Sequence, residues 1–181
     1  ALVVQGADLA VDHAVRRFES LDELSRNVLE ALRIVLILPR PELGLAAGDV
    51  ARDKVERPAW IRGIDHRVEP IHLGLRDLTV SESTRIAAAK AGVADGPVDV
   101  AELHAPFSHQ ELILREALGL GDGTTINPSG GALSANPMMT AGLVRIGEVA
   151  TRIAAGEADR GVAHATSGPC LQQNLVCVLE G

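Results

Sequence analysis

The sequence lacks tyrosine and has few aromatic side chains of any kind. Its 181 residues include one Trp, two Phe and no Tyr, so aromatic residues make up 2% of the chain. This composition excludes catalysis by a tyrosine hydroxyl, and it excludes a surface on which nucleic-acid bases stack against aromatic rings. The chemistry of this protein must therefore come from other side chains and from backbone groups.

The sequence also has few cysteines, no excess of positive charge and no long apolar run. The two cysteines, Cys170 and Cys177, form neither a Cys-x-x-Cys pair nor a Cys/His ligand set, which predicts no disulfide framework and no metal site. A net charge of -7 argues against nucleic acid as a partner. The longest apolar run covers residues 34–38, far short of the roughly 20 residues that span a membrane. We therefore expect a cytoplasmic protein without a membrane span.

Hydrophobic residues make up 46% of the chain, enough to fill a core. Their spacing predicts strands over residues 2–4, 59–68, 98–103, 161–166 and 171–179, and helices over residues 8–17, 21–36, 79–91, 108–118 and 138–155. Ser20 and Ser108 begin capping boxes, Ser81 is expected to cap the helix over 79–91, and Gly92 and Gly119 end helices. This order predicts an α/β fold, with a mixed sheet layered between helices.

The character of the sequence changes at Pro58. Residues 1–17 are predicted to contain a short strand and a short helix. Residues 18–57 are predicted to contain a helix that ends before Pro39 and Pro41, followed by a stretch interrupted by glycine and charge that favours a loop or a poor helix. We interpret residues 18–57 as a partly helical insertion or linker and residues 58–181 as an α/β domain.

A glycine loop precedes the predicted helix over residues 138–155. Ser129, Gly130 and Gly131 follow Pro128, and adjacent glycines allow backbone angles that other residues avoid. Backbone N–H groups at a helix start suit a carbonyl oxygen, a thioester or a phosphate. The loop is thus a candidate site for a coenzyme, although an ordinary turn would have the same composition.

Two histidines, one asparagine and one glycine complete the candidate site. His104 follows a predicted strand, Asn136 follows the glycine loop, and His164 and Gly168 belong to the last pair of strands. A histidine, an amide and a glycine turn at one end of a sheet would polarise a carbonyl, as acyl transfer requires. Each residue also has a structural interpretation: a buried histidine, a helix cap or a hairpin turn.

These motifs resemble the thiolase superfamily, in its acetyl-CoA acetyltransferase and lipid-transfer (sterol-carrier) branch. The similar segments in its C-terminal half are Asn127–Leu133, Asn136-Pro137 and Thr140–Ile146, with Glu102–Phe107 similar to a His-x-x-Phe motif and Gln172–Asn174 to the last strand. The resemblance covers residues 58–181 and assigns residues 1–17 to the end of an N-terminal half. It implies two similar α/β halves, dimerisation and a coenzyme A thioester as substrate, with no separate cofactor.

The resemblance also implies roles for individual residues, and it shows where this sequence departs from the family's motifs. His104 matches the family's His-x-x-Phe histidine, which helps to hold a thioester oxygen. Asn136 stands where the family's Gly-His-Pro motif has its catalytic histidine, and Gly168 matches an oxyanion-hole glycine without the cysteine that precedes it. The nucleophilic cysteine belongs to the N-terminal half, which this sequence lacks. Since the chain starts at Ala1, we expect a preceding half or a partner chain that supplies it.

Three functional hypotheses follow from these residues. The first is an acyl-CoA enzyme that performs acyl transfer or retro-aldol carbon–carbon cleavage, in which His164 would be a candidate base. It would act as a homodimer or as a hetero-oligomer with an N-terminal thiolase-like half. The second is a non-catalytic subunit that binds acyl-CoA or lipid, or serves assembly. The third is an α/β domain whose site has decayed.

Overall fold

The computed structural model describes residues 35–37, 44–46 and 48–181. Within them the α-helices are α1 (Gly48–Lys54), α2 (Glu82–Ala91), α3 (Ser108–Leu118), α4 (Gly131–Ser134) and α5 (Ala141–Ala154). The strands are β1 (Val35–Ile37), β2 (Gly44–Ala46), β3 (Ala59–Val68), β4 (Val100–Glu102), β5 (Thr125–Ile126), β6 (Arg160–Ser167) and β7 (Gln173–Glu180). Short 3-10 helices cover Leu73–Leu75 and Val93–Asp95. No helix of this described part is long and apolar enough to cross a membrane.

The strands form one mixed sheet in the order β2-β1-β3-β7-β6-β4-β5. Strand β4 runs parallel to β5 and β6, while the pairs β1–β2, β1–β3, β3–β7 and β6–β7 are antiparallel. The long hairpin of β6 and β7 lies at the centre and pairs from Arg160 with Glu180 to Ser167 with Gln173. The predicted α/β class and the mixed sheet are therefore confirmed.

Helices cover both faces of this sheet, which explains why its central strands are apolar on both sides. Val162 and Val176 face one core cluster, together with buried residues of α2 and α3. Val100 and Ala163 face the other cluster, which contains Val149 and other residues of α5. Alternate residues of a strand point to opposite faces, so an uninterrupted apolar run predicts a strand that is buried on both faces of the sheet.

The predicted strand over 59–68 and the predicted final hairpin match β3, β6 and β7 closely. The glycine helix ends are also confirmed, because Gly92 and Gly119 adopt left-handed angles, with φ of 79° and 66°. Ser81 is the N-terminal cap residue of α2, although its hydroxyl contacts the Thr84 hydroxyl at 2.7 Å rather than a backbone amide. The helix predicted over residues 138–155 begins three residues later than expected, at Ala141.

Other expectations are wrong. Ser108 is the first residue of α3 rather than its cap, because Phe107 occupies the cap position and no side chain there bonds the backbone. Glu111 therefore does not close a capping box and instead accepts a hydrogen bond from the Asn127 amide at 2.8 Å. The two-residue strand β5 was not predicted, because so short a segment carries no periodic signal.

The predicted helix over residues 21–36 is wrong at its C-terminal end. Val35 and Leu36 belong to β1, which pairs with both β2 and β3. Pairing with distant strands overrides the helical spacing here, and β-branched residues fit a pleated surface. Residues 44–46 and 48–54, expected to be a loop or a poor helix, form β2 and α1. Part of the predicted insertion thus extends the sheet.

The remaining expectations for the N-terminal region lie outside the described residues. They are the strand over 2–4, the helix over 8–17 and the Ser20 capping box. The division of the chain into residues 1–17, 18–57 and 58–181 stays a prediction.

Arg160, at the start of β6, links the C-terminal end of α2 to the sheet by hydrogen bonds. Its guanidinium donates hydrogen bonds to the carbonyl oxygens of Gly92 at 2.5 Å, Val93 at 3.0 Å and Gly96 at 2.9 Å. Its Nε also donates to a carboxylate oxygen of Glu180 at 2.8 Å. A cation at a helix C-terminus satisfies carbonyls that have no partner within the helix.

Gly63 in β3 allows α2 to approach the sheet closely. A Cβ atom placed on Gly63 would lie 2.2 Å from the backbone oxygen of Ala91, a contact that only a backbone shift would relieve. Gly63 also lies at a register irregularity between β3 and β7.

We predict that Gly63→Ala lowers the free energy of unfolding by about 1–3 kcal/mol, the usual cost of overpacking. Chemical denaturation monitored by circular dichroism measures this loss. Gly74→Ala is the matched control, because nothing lies within 4 Å of a Cβ atom at Gly74. Equal stability of the two variants would contradict this account of the α2 contact.

Candidate functional site

His104 and Asn136, two of the residues predicted for the site, lie in direct contact. His104 Nε2 is 2.9 Å from Asn136 Oδ1. His104 follows β4, and its own amide donates to the His164 carbonyl at 3.2 Å, so the chain still runs beside β6. His104 is 7% exposed, whereas Asn136 is exposed to solvent. We call this contact the His104–Asn136 pair. Its His104 end is buried, and its Asn136 end, the open end, is exposed to solvent.

A backbone group on β6 determines which nitrogen of His104 carries the proton. The Thr166 amide donates a hydrogen bond to His104 Nδ1 at 3.2 Å. Because an amide N–H only donates, Nδ1 must accept, and the proton of the neutral ring lies on Nε2. Nε2–H then donates to Asn136 Oδ1. The hydrogen bonds thus run in one direction, from Thr166 through His104 to Asn136.

Burial favours the uncharged form of His104. The pKa of His104 is lowered from its usual value, mainly because burial disfavours the charged ring, with a further contribution from the positive charge of Arg145. Hydrogen bonds with Asn136 and Thr166 oppose this shift without cancelling it. At neutral pH the ring is therefore an uncharged N–H donor whose second nitrogen is already occupied.

A buried ion pair supports the loop that precedes Asn136. Glu102 in β4 is fully buried, and Arg145 in α5 is 3% exposed. Arg145 Nη1 lies 3.1 Å from Glu102 Oε2. Ser129 donates to the same carboxylate from its amide at 2.9 Å and from its hydroxyl at 2.7 Å. The carboxylate thus joins β4, the glycine loop and α5 at one point.

Asn127 holds the start of the same loop. Its Oδ1 accepts the amide proton of Leu103 at 2.7 Å, and its Nδ2 donates to Glu111. Asn127 adopts a left-handed angle, with φ of 48°, which asparagine tolerates better than most residues. The loop is therefore held at the end of β4, next to His104.

The backbone N–H groups of Ser129, Gly130 and Gly131, which the sequence suggested for a ligand, all have partners within the protein. The Ser129 amide donates to Glu102, the Gly130 amide to the Asn127 carbonyl at 2.8 Å, and the Gly131 amide to the Ser129 hydroxyl at 3.2 Å. The following helix α4 has only four residues and does not continue into α5. The carboxylate on β4 binds the Ser129 amide, and groups of the loop itself bind the other two amides. A role for the three residues in coenzyme binding stays a prediction.

The backbone of His164 is next to His104, but the His164 side chain is directed into the core and bonds Asn174 rather than the pair, which corrects the expectation of one shared site. It shares the sheet face of Val162, which packs against α2 and α3, whereas Glu102 and Arg145 lie on the α5 face. Its Nε2 contacts Asn174 Oδ1 at 3.0 Å, and the Asn174 amide donates to Ser83 in α2 at 2.7 Å. Burial lowers the pKa of His164 to about 4. His164 is thus a core histidine rather than an accessible base.

Gly168 lies in the connection between β6 and β7, two residues after Thr166. Its φ of 74° is left-handed, and a Cβ atom there would lie 2.5 Å from Gln172 Oε1. Within the described residues, no hydrogen bond joins Gly168 to His104 or Asn136. Its proposed oxyanion role stays a prediction, while its geometry accounts for glycine in this turn.

Thr166, Glu102 and Arg145 were not predicted as site residues from the sequence. Thr166 acts through its backbone, so its side chain carries no signal. Glu102 and Arg145 did carry one, because each is a charged residue inside an otherwise apolar strand or helix face, and buried charges are usually paired. In the described residues, no three His, Cys, Asp or Glu side chains are grouped to hold a metal ion.

The open end of the pair belongs to a segment whose exposed surface is uncharged and partly apolar. Residues 123–144 contain no Asp, Glu, Lys or Arg, although charged residues make up 23% of the chain. Met138 is 84% exposed and Met139 is 93% exposed, directly after Asn136-Pro137. Phe107, three residues after His104, is 61% exposed. Exposed apolar side chains close to one another are typical of surfaces that contact a ligand or another protein.

Known proteins with similar sequences are sterol carrier proteins. The chain is 36% identical over 112 residues to sterol carrier protein 2 from Rattus norvegicus, and 35% identical over 112 residues to the same protein from Homo sapiens. Each match covers 52% of this chain and 20% of the relative. The matched region is thus about a fifth of the length of these curated relatives. No family model matches the sequence.

A solved structure has a similar fold. It is the crystal structure of a monomeric SCP2-thiolase like protein type 1 from Mycobacterium smegmatis, with a TM-score of 0.59 and 18% identity. The similarity covers 76% of this chain and 33% of that chain. Together with the sequence matches, it supports a thiolase-like fold for this chain.

Substitutions in the ion pair of Glu102 and Arg145 test whether this pair supports the glycine loop. We predict that Glu102→Gln lowers the free energy of unfolding by about 3–5 kcal/mol, because it leaves a buried guanidinium without a counter-charge. Glu102→Gln with Arg145→Met should cost less than the single change, since no buried charge then remains. Urea denaturation of both variants measures the difference.

The exposed pair of Glu82 and Arg85 in α2 is the matched control for that experiment. Their side chains are 53% and 63% exposed, so Glu82→Gln should change the unfolding free energy little. If Glu102→Gln were equally mild, the buried pair would not support the loop.

The pKa of His164 gives a second prediction, for stability in acid. Unfolded histidine binds a proton near pH 6.5, but folded His164 does not until about pH 4. Stability is therefore unaffected above pH 6.5 and falls as the pH drops towards 4, by about 3 kcal/mol from this residue. Urea denaturation at pH 7 and pH 4.5 measures the loss.

A comparison of two glutamine variants isolates the contribution of His164. His164→Gln should be less stable at neutral pH but should lose less stability on acidification than the unmodified protein. His66→Gln, at an exposed position of β3, should keep the original pH dependence. An unchanged acid response in His164→Gln would refute the linkage.

Proposed function

We propose that this chain is part of a thiolase-like acyl-CoA enzyme whose His104–Asn136 pair polarises a carbonyl oxygen of the substrate. The observation that carries this proposal is the contact of 2.9 Å between the two side chains, with the exposed amide of Asn136 at its open end. Hydrogen-bond donors held at a fixed position stabilise the negative charge that develops on a carbonyl oxygen. The thiolase-like fold supports acyl-CoA as the substrate class.

The chemistry of the pair favours a reaction that needs carbonyl polarisation more than it needs a base. Asn136 cannot remove a proton, and His104 already uses both ring nitrogens. Retro-aldol cleavage of a β-hydroxyacyl-CoA fits this limit. The bond between Cα and Cβ breaks, its electron pair passes to the thioester as an enolate, and the β-hydroxyl proton leaves to a base as the new carbonyl forms. Acyl transfer would also require a nucleophilic cysteine from another half.

A second chain or a preceding half would complete this enzyme. The match covers 20% of the curated relatives, and the uncharged surface bears Met138, Met139 and Leu143, which are 84%, 93% and 49% exposed. Contact with an N-terminal thiolase-like half, in a homodimer or a hetero-oligomer, would bury this surface. The proposal places the complex in the cytoplasm, with no nucleic acid as partner.

The alternative is a subunit that binds acyl-CoA or lipid without turnover, or one that serves assembly. Two observations favour it: the relatives are named sterol carrier protein 2, and the pair contains no free base. Such a subunit would use the same pair to hold a thioester carbonyl without cleaving the molecule.

The test is a turnover assay with a panel of acyl-CoA and β-hydroxyacyl-CoA thioesters. The purified chain is assayed alone and with any co-purifying partner, and release of free coenzyme A and of carbonyl products is measured. We expect His104→Ala to lower kcat about 100-fold or more, which is the usual effect of disrupting an oxyanion site. His66→Ala is the matched control, because His66 lies at an exposed position of β3.

The outcomes separate the two hypotheses. Turnover that is lost in His104→Ala and kept in His66→Ala would support the enzyme. Thioester binding without turnover under any pairing would favour the binding subunit. Equal activity of both variants would show that the pair has no part in the reaction.

A further inference from the structure

The direction of the hydrogen bonds at the pair determines which atoms remain for a ligand. Thr166 donates to His104 Nδ1, so the Nε2 proton of His104 is directed to Asn136 Oδ1. The Asn136 amide group must then present its oxygen to His104 and its nitrogen elsewhere. An amide nitrogen carries two protons and accepts no hydrogen bond. The amide nitrogen at the open end of the pair therefore acts only as a donor.

The exposure of the two residues supports the same assignment. His104 is 7% exposed and has partners on both nitrogens, whereas Asn136 is exposed and has one hydrogen-bond partner among the described residues, His104. A ligand that arrives from solvent meets the Asn136 amide before it meets the imidazole ring. To contact His104 Nε2–H directly, the ligand would have to displace Asn136.

We infer that Asn136, through its Nδ2–H, is the residue that contacts the carbonyl oxygen of the ligand, and that His104 is a positioning residue that orients the amide. This inference rests on the proposed function of the same site. It differs from the expectation drawn from the family resemblance, in which the histidine itself holds the thioester oxygen. It also restricts the ligand to groups that accept hydrogen bonds at this point, such as a thioester carbonyl or an enolate oxygen.

The decisive variant is Asn136→Asp, which changes the amide to a carboxylate of nearly equal size. One carboxylate oxygen would still accept the Nε2 proton of His104, so the contact with the ring is preserved. The second oxygen would replace the Nδ2 donor by an acceptor. A role that depends only on packing or on the His104 contact would survive this change, but a donor role would not.

Two probes that differ by one oxygen separate carbonyl binding from binding of the rest of coenzyme A. Acetyl-CoA has the thioester carbonyl, and S-ethyl-CoA replaces it with a methylene group at the same chain length. Calorimetry on the full chain should show that Asn136→Asp weakens acetyl-CoA binding about tenfold or more, as expected for a lost donor at a desolvated oxygen. S-ethyl-CoA binding should change by less than about twofold.

Equal weakening of both probes would overturn the inference, because the change would then act through charge repulsion or folding. No change for either probe, with both bound, would also overturn it. If neither probe binds the unmodified chain, the proposed function fails, and the inferred donor direction is then tested separately by the tautomer of His104.

Nitrogen-15 NMR of the labelled imidazole ring reads this tautomer without any ligand. We expect a protonated Nε2 and an unprotonated Nδ1 in the unmodified protein at neutral pH. A ring protonated on Nδ1 would reverse the direction of the hydrogen bonds and would overturn the inference. Asn136→Asp should keep the Nε2 proton, because the carboxylate accepts it as the amide oxygen does.

Discussion

The arrangement of the candidate site depends on the buried contact between Glu102 and Arg145. Removing the charges of Glu102 and Arg145 from water is costly. Their attraction offsets this cost with the help of two further hydrogen bonds that Ser129 donates to the carboxylate. The contact connects strand β4, the glycine loop and helix α5, which are far apart in sequence. Arg145 also places a positive charge near His104, which helps to keep that ring neutral. Support of the loop and control of the histidine therefore have a common origin.

His104 and His164 are neutral histidines whose surroundings differ, and this difference makes only one of them accessible from solvent. His104 and His164 are adjacent across the sheet, and burial lowers the pKa of both. His164 faces the core formed with α2 and α3, where Asn174 fixes it out of reach of solvent. His104 lies at a strand end and contacts an exposed asparagine. Position at the strand end, rather than residue type, makes His104 the candidate.

The absence of a base at the His104–Asn136 pair limits the reactions that it can support. An asparagine in this position donates hydrogen bonds but does not titrate, and the Thr166 amide occupies the only nitrogen of His104 that could take up a proton. The pair can therefore donate a hydrogen bond but cannot take up a proton as a base. A complete enzyme would need to obtain the second function from the substrate, from another region or from a partner.

The sequence by itself determined the fold class, the strands β3, β6 and β7, the glycine ends of α2 and α3, and the candidacy of His104 and Asn136. These features depend on local signals: apolar alternation, left-handed glycine and polar residues at strand ends. Only the tertiary structure decided that β1 is a strand, that the amides of the glycine loop are occupied and that His164 belongs to the core. Each of these depends on pairing or hydrogen bonding between residues distant in sequence, and local spacing carries no information about such partners. The same reason explains Thr166, whose contribution comes from a backbone group that every residue except proline possesses.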